Sequence, residues 1–471
     1  MASKGFNKVL NSGDIIITAF GAMIGWGWVV SSGNWLKSAG AFGTALGFLI
    51  AGVMIFFVGL TYAELTSAMP KCGGEHVFSF QAFGPVGSFV CTWALILSYV
   101  GVVCFEVCSL PTVLQYLIPN FLQGYLYTIA GFDVYASWLI VAIVATVFIT
   151  VINLIGVKTA TIVQTILTVV IAGAGILLVV GTAFNGSASN LEGQFLVGDG
   201  FGDISKNVLG VAAVAPFFLM GFDVIPQVSE EIKVPLKKIG RLMLLSIVLA
   251  VGFYIMVVVA MGFAMTSADV AGSVSGSGLA AADAMARVFN SSIMAKVLII
   301  GGICGIITSW NSFVIGGSRA IYSMAKANMI PHFFAKLSDK RKTPTNAILL
   351  VGVISVISPF FGRQMLVWVS DAASFSCCIA YCIVALSFLI IRKKSPDMPR
   401  PYKVKCYWLV GIIAVLTSGF MVLMYIIPGF GATLLPQEWI IVGGWAILGV
   451  IFAIWSKLRY KSKFGDIKIE K

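Results

Sequence analysis

Charge is what this sequence lacks. Only 11% of its 471 residues are Asp, Glu, Lys or Arg, against 59% apolar, and the mean hydropathy is +0.98. A soluble domain of this length needs far more charge to cover its surface, which excludes a soluble fold. Histidine is nearly absent: His76 and His332 are too few and too far apart for a metal site. The nine cysteines lie in or beside apolar runs and form no Cys-x-x-Cys pair. Cys104/Cys108 and Cys378/Cys382 are one helical turn apart, which suits small packing residues and not a disulfide framework. No Ser-His-Asp set, phosphate loop or metal constellation is present, so neither an enzyme nor a cofactor is expected. What fills the chain is roughly twelve apolar runs, each close to the ~20 residues a membrane helix needs.

The first run, Ile15 to Trp35, has no charge between Asp14 and Lys37, yet Gly21-Ala-Met-Ile-Gly25-Trp26-Gly27 interrupts it. It is too long for a cleavable signal and has no small-residue cleavage site. Glycine costs a helix about 1 kcal/mol against alanine. An opened helix survives in lipid only where protein, water or a ligand satisfies its backbone. Such a break exposes N–H groups at one half-helix and C=O groups at the other, a site for a carboxylate and an ammonium together. Close helix packing is the other reading of the same glycines.

Expected spans are 14–36, 41–69, 86–118, 135–155, 158–184, 207–229, 236–265, 292–323, 346–361, 366–391, 406–428 and 437–457. Basic residues give the orientation. Lys4, Lys8, Lys71, Lys158, the group Lys233 to Arg241, and the runs Arg319–Lys342, Arg392–Lys405 and Lys457 to the end fall in loops on one side. Only Lys37, Lys206, Arg287, Lys296 and Arg363 fall on the other. The positive-inside rule puts both termini in the cytoplasm. The net charge of +12 then reflects topology and contact with anionic lipid, not nucleic-acid binding.

The sixth run carries a second interruption, Pro216-Phe217-Phe218-Leu-Met-Gly221-Phe222-Asp223-Val-Ile-Pro226. Each proline removes a helical hydrogen bond, and an acid at membrane depth is costly and usually functional. Breaks five helices apart fit a five-helix unit repeated upside down, with a site at the midplane between them.

These residues, with Tyr62-Ala-Glu64, Pro70-Lys-Cys-Gly73-Gly74-Glu75, Gly156-Val-Lys158, Ser229-Glu230-Glu231, Ser318-Arg319-Ala-Ile-Tyr322 and Arg400-Pro401-Tyr402-Lys403, resemble the amino acid–polyamine–organocation superfamily. The resemblance covers nearly the whole chain in order. It implies an all-α, twelve-span LeuT-like fold of two inverted five-helix repeats, 1–184 and 185–392, followed by spans 11 and 12 in 393–471. It also implies import or exchange of amino acids or related amines across the cytoplasmic membrane. Carried over residue by residue, Met23, Ile24, Gly25, Trp26 and Gly27 would supply amides for a substrate carboxylate. Trp26 stands where relatives often have a hydroxyl, so that binding would rest on backbone alone, and Trp26 and Trp28 can equally pack as core. Phe217 would be the aromatic gate. The carbonyls of Ala215, Pro216 and Phe218, beside Gly221, would receive the amine. Trp310 and Asn311 would line the side-chain end.

Three ionisable residues are candidates for coupling. Lys158 opens the fifth run, where its ammonium would replace the cation that sodium-coupled relatives hold, making the chain proton-linked or ion-independent; an interfacial anchor is the alternative. Glu106 has no basic neighbour in sequence and reads as a helix–helix hydrogen bonder, a proton site or a contact for a cationic substrate. Asp223 sits in the second break. Glu64 is expected to pair with the loop that follows it. An amine or polyamine carrier of the same fold, or a non-transporting sensor, are the competing readings. A sensor would be expected to add a soluble domain, and these residues include none.

Overall fold

The computed structural model describes residues 6–129, 131–363, 365–428 and 433–467; Lys4, Lys468 and Lys471 of the basic set lie outside the described residues. In chain order the elements are α1 (Ser12–Met23), α2 (Gly27–Ala68), α3 (Glu75–Leu117), β1 (Tyr125–Ile129), β2 (Phe132–Tyr135), α4 (Ala136–Ile155) and α5 (Val157–Asn185). Then follow α6 (Phe201–Phe218), α7 (Val224–Gln227), α8 (Leu236–Ala264), α9 (Ser267–Ser275), α10 (Ala280–Val288) and α11 (Ser292–Lys326). The chain closes with α12 (Thr345–Ile357), α13 (Met365–Lys394), α14 (Tyr407–Ile426) and α15 (Pro436–Tyr460). Nine helices among the described residues are long and apolar enough to cross a membrane. This is an all-α, multi-pass membrane protein.

Two glycines fold continuous helical sequence back on itself. At 1.5 Å per residue the 42-residue α2 is about twice the bilayer's apolar thickness. It bends at Gly40, whose φ of 77° suits glycine, and where a Cβ would stand 2.5 Å from the Gln194 carbonyl oxygen. Gly84, at φ 74°, divides α3 in the same way. The helix outer faces carry bare apolar groups such as Val144, Phe148 and Ile440, which have lipid as their natural neighbour. Inside, α1 packs on α5, α8 and α11; α2 packs on α6 and α8; α3 packs on α11 and α13.

Four features differ from the sequence reading. The β1–β2 hairpin and the short helices α9 and α10 fold where only loops were expected, because each is far shorter than a span's apolar run. The helix leading to the second break starts at Phe201, and α3 starts at Glu75, ahead of the apolar run. Glu64 does not pair with the next loop. Its Oε2 accepts from Arg392 at 2.6 Å and the Val404 N–H at 2.7 Å, and its Oε1 forms an ion pair with Arg400 at 3.2 Å, tying α2 to the segment after α13.

Candidate functional site

The first break comes where the glycines predict it. Helix α1 stops at Met23, Ile24 leaves helical geometry, and α2 begins at Gly27. Among the described residues the N–H groups of Gly25, Trp26, Gly27 and Trp28 have no backbone acceptor. The Met23 carbonyl receives the Tyr254 hydroxyl of α8 at 2.8 Å. Gly25 lies on α11: a Cβ there would come within 2.9 Å of Ser309 Oγ and 3.4 Å of Glu106 Oε1. Glu106, buried on α3, accepts a hydrogen bond from the Ser309 hydroxyl, and its Oε2 has no partner.

The second break faces the first. Helix α6 ends at Phe218 and the chain resumes as α7 at Val224. Asp223 Oδ1 accepts from the Gly221 N–H at 2.8 Å, holding the turn. Gly221 has φ +139°, and a Cβ on it would meet the Ala22 methyl at 2.6 Å and the Ala19 carbonyl oxygen at 3.1 Å. Only glycine fits, for conformation and for space alike. The Ala215 and Pro216 carbonyls are already engaged, each accepting from the Leu219 N–H at 3.1 Å. The carbonyls of Phe217, Phe218, Leu219 and Met220 receive no backbone N–H among the described residues. The free acceptors therefore include Phe218, as sequence placed it, and run on to Met220, while Ala215 and Pro216 are taken.

Above the breaks is a cavity of about 530 Å³, lined by Trp26, Phe105, Phe217, Phe218 and Asp371 among others, with Phe132 and Arg363 at the hairpin side. Phe217 lines it and meets Phe105 edge-on at 5.6 Å, so this pair of phenylalanines does not face lipid. Phe218 covers the start of α2: its ring occupies the place a Gly27 Cβ would take. Trp26 is buried with its ring laid on Gly302, at the cavity's edge, while Trp28 packs in the core against Phe253 at 5.5 Å.

Other expectations are not met in place. Asn311 points away from the cavity, bonded to Asn153 at 2.9 Å, Gln164 at 2.9 Å and the Ala160 carbonyl at 3.1 Å. Trp310 is buried off the cavity wall. The α11 residues that face the first break are Gly302, Gly305 and Ser309, while Ser312 donates to the Thr18 carbonyl within α1. Lys158 does not reach the carbonyls of Gly21 and Ala22. Its half-exposed ammonium pairs with Asp14 at 2.9 Å, and Gln164 with Thr168 fills the space beside Gly21. Tyr254 and Ser309 were missed; a lone tyrosine in an apolar helix was their one sequence signal, since a buried hydroxyl needs a partner.

On the other side the structure is sealed. Arg319 and Glu231, both buried, pair through Nε–Oε1 at 2.9 Å, Leu10 bridges to Ile232, and Phe6 packs on Tyr322 at 5.3 Å. One face open to the breaks and the other closed is the arrangement of a carrier. The family model described as "Amino acid permease" matches residues 12–452. This chain belongs to the amino acid permease family.

Relatives of this permease align with it over most of both chains. It is 24% identical over 436 residues to the branched-chain amino acid permease BcaP of Bacillus subtilis, covering 89% of this chain and 88% of that one. The methylthioribose transporter of the same organism is 24% identical over 439 residues, covering 91% and 90%. Its aspartate-proton symporter is 23% identical over 431 residues, covering 90% and 80%.

Proposed function

We propose that this permease carries amino acids across the cytoplasmic membrane by alternating access, coupled to protons or by exchange. Free N–H groups at Gly25–Trp28 facing free C=O groups at Phe217–Met220, across the Gly221–Ala22 contact, carry this reading. A zwitterion is the ligand that satisfies both ends: its carboxylate takes the N-terminus of α2 and its ammonium takes the carbonyls. The side chain then points toward Phe217 and the cavity that this ring lines. The names of BcaP and of the aspartate-proton symporter support an amino acid cargo, and the second supports a proton.

In this reading the chain makes twelve spans, counting α1 with the first half of α2, the two halves of α2 apart, α6 with α7, and α12. Residues 1–184 and 185–392 are the two inverted repeats, and 393–471 adds the last two spans. Both termini are cytoplasmic, which makes the sealed face the inner one and the open cavity the outer one.

Glu106 favours a second reading. A buried carboxylate beside Gly25 with one bare oxygen suits an amine or another cargo lacking a carboxylate. Thermal stabilisation of the purified protein across amino acids and amines decides between them, since a ligand of the folded state raises its melting point by mass action. Stabilisation by amino acids supports the first reading; stabilisation by amines alone overturns it.

A further inference from the structure

Beneath the second break lies a group of buried polar atoms that cargo binding does not use. Glu75, the first residue of α3, is fully buried, and so is Asp223. Each carboxyl has one oxygen held and one bare. Glu75 Oε2 accepts from the Gln227 amide on α7, and Asp223 Oδ1 accepts from the Gly221 N–H at 2.8 Å. Glu75 Oε1 and Asp223 Oδ2 have no hydrogen-bond partner, and neither do the hydroxyls of Tyr62, Tyr99 and Tyr381 or the Gln227 Oε1. These groups share one space. Both carboxyls lie within electrostatic reach of each other and of the Tyr62 and Tyr99 hydroxyls. Tyr381 meets Tyr62 at 5.7 Å and Phe222 at 5.5 Å between ring centroids. The other titratable groups facing the cluster are the thiols of Cys91 on α3 and Cys377 on α13, both neutral in character. Among the described residues no ion pair reaches either carboxyl, as the ion pairs of this structure lie elsewhere.

An ionised carboxyl held in an apolar interior without a cation takes up a proton instead of staying charged. Two such carboxyls side by side resist losing both protons. The bare oxygen of each is where the proton goes: O–H then donates to one of the unmatched oxygens, and the unpaired acceptors become a satisfied network. The donor set has only two acids, and no group of three metal-binding side chains occurs among the described residues, so a proton suits it better than a metal ion.

We propose that Glu75 and Asp223 form a proton-binding pair that couples proton release to the opening of the inner face. This deepens the transport reading and rests on it. Asp223 holds the turn after α6 and Glu75 holds α7 through Gln227, so the pair grips both ends of the interrupted segment. Loss of the proton to water converts COOH to COO⁻ in an apolar interior. The Tyr62, Tyr99 and Tyr381 hydroxyls can donate to that charge but bring no cation, so water, entering as α7 moves away from α3, supplies the remaining solvation. Reclosure needs a proton again. Glu75→Gln keeps the size and the Gln227 contact but fixes the site in its neutral form.

The test uses the full chain and two readouts. Infrared difference spectra of the purified protein between acid and alkaline buffer are expected to show a protonated-carboxyl band that Glu75→Gln and Asp223→Asn each change, that Glu106→Gln leaves in place, and that sodium at fixed pH does not move. In proteoliposomes Glu75→Gln is expected to exchange internal for external amino acid within about twofold of the parent, while uptake driven by an imposed proton gradient falls about tenfold or more. A band unchanged in both variants, a band erased by sodium, or gradient-driven accumulation equal to the parent's overturns the pair. A parent that shows the band and carries no amino acid overturns the transport reading and leaves the pair standing.

Discussion

Gly221 and Ala22 hold the two broken helices against each other, close enough that a Cβ on Gly221 would stand 2.6 Å from the Ala22 methyl. The contact lets the free N–H groups of one break and the free C=O groups of the other address a single small ligand. Gly221→Ala therefore costs twice, in backbone strain at φ +139° and in overlap. About 2–4 kcal/mol of stability and most of the uptake should be lost. Adding Ala22→Gly removes the overlap and leaves the strain, so it should restore stability only in part. Full activity in Gly221→Ala alone would mean that the breaks are not in contact during transport.

Tyr254→Phe removes the hydroxyl that the Met23 carbonyl receives and leaves a buried acceptor bare at the edge of the first break. The expected cost is about 1–3 kcal/mol. It should appear partly as a lower melting temperature and partly as weaker cargo binding, read by thermal shift with and without ligand. A variant with the parent's melting curve and affinity would make Tyr254 a packing residue.

Phe217→Ala opens the floor of the cavity, since this ring and Phe105 close over the breaks. The protein should remain folded, because Phe217 is only half-buried. Cargo affinity and uptake should each fall by about tenfold, as expected for a lost aromatic contact and lost occlusion. Uptake equal to the parent's returns Phe217 to a packing role.

Arg319→Met strands Glu231 as a buried charge on the sealed face, at a cost of about 3–5 kcal/mol. The double variant with Glu231→Gln should recover most of that stability but not the seal. Thiol-reactive labelling of Cys72, buried beside this face, should rise in the single variant. Labelling that stays at the parent's level would show that the ion pair does not keep the face closed.

Lys158→Met should cost less than about 1 kcal/mol, because its ion pair with Asp14 is half-exposed. The pH profile of uptake should survive the change. A lost pH dependence would return coupling to this lysine.

What the sequence made legible and what it hid follow a physical pattern. The breaks at Gly25 and Gly221 were readable because glycine and proline act on their own backbone, wherever the chain then goes. Asp223 and Glu106 stood out because acids are scarce at membrane depth. Facing was harder. Trp310 and Asn311 were placed on the cavity, yet both turn away from it and the helix presents Ser309 to the first break instead; one residue is about 100° of rotation. Partners distant in sequence were hidden altogether: Glu64 with Arg392 and Arg400, Tyr254 with Met23, Gln227 with Glu75. Lys158 was read as standing in for a coupling cation, yet its ammonium pairs with Asp14, 144 residues away in sequence.

The central claim is that one ligand bridges the two breaks with both a carboxylate and an ammonium. Competition by three molecules sharing a side chain tests it directly: the best-bound amino acid, its decarboxylated amine and its deaminated acid. Both truncated molecules should compete at least about tenfold more weakly than the parent, since each leaves a half-helix end without its charge-assisted hydrogen bonds. An amine that competes as well as the amino acid would contradict the account.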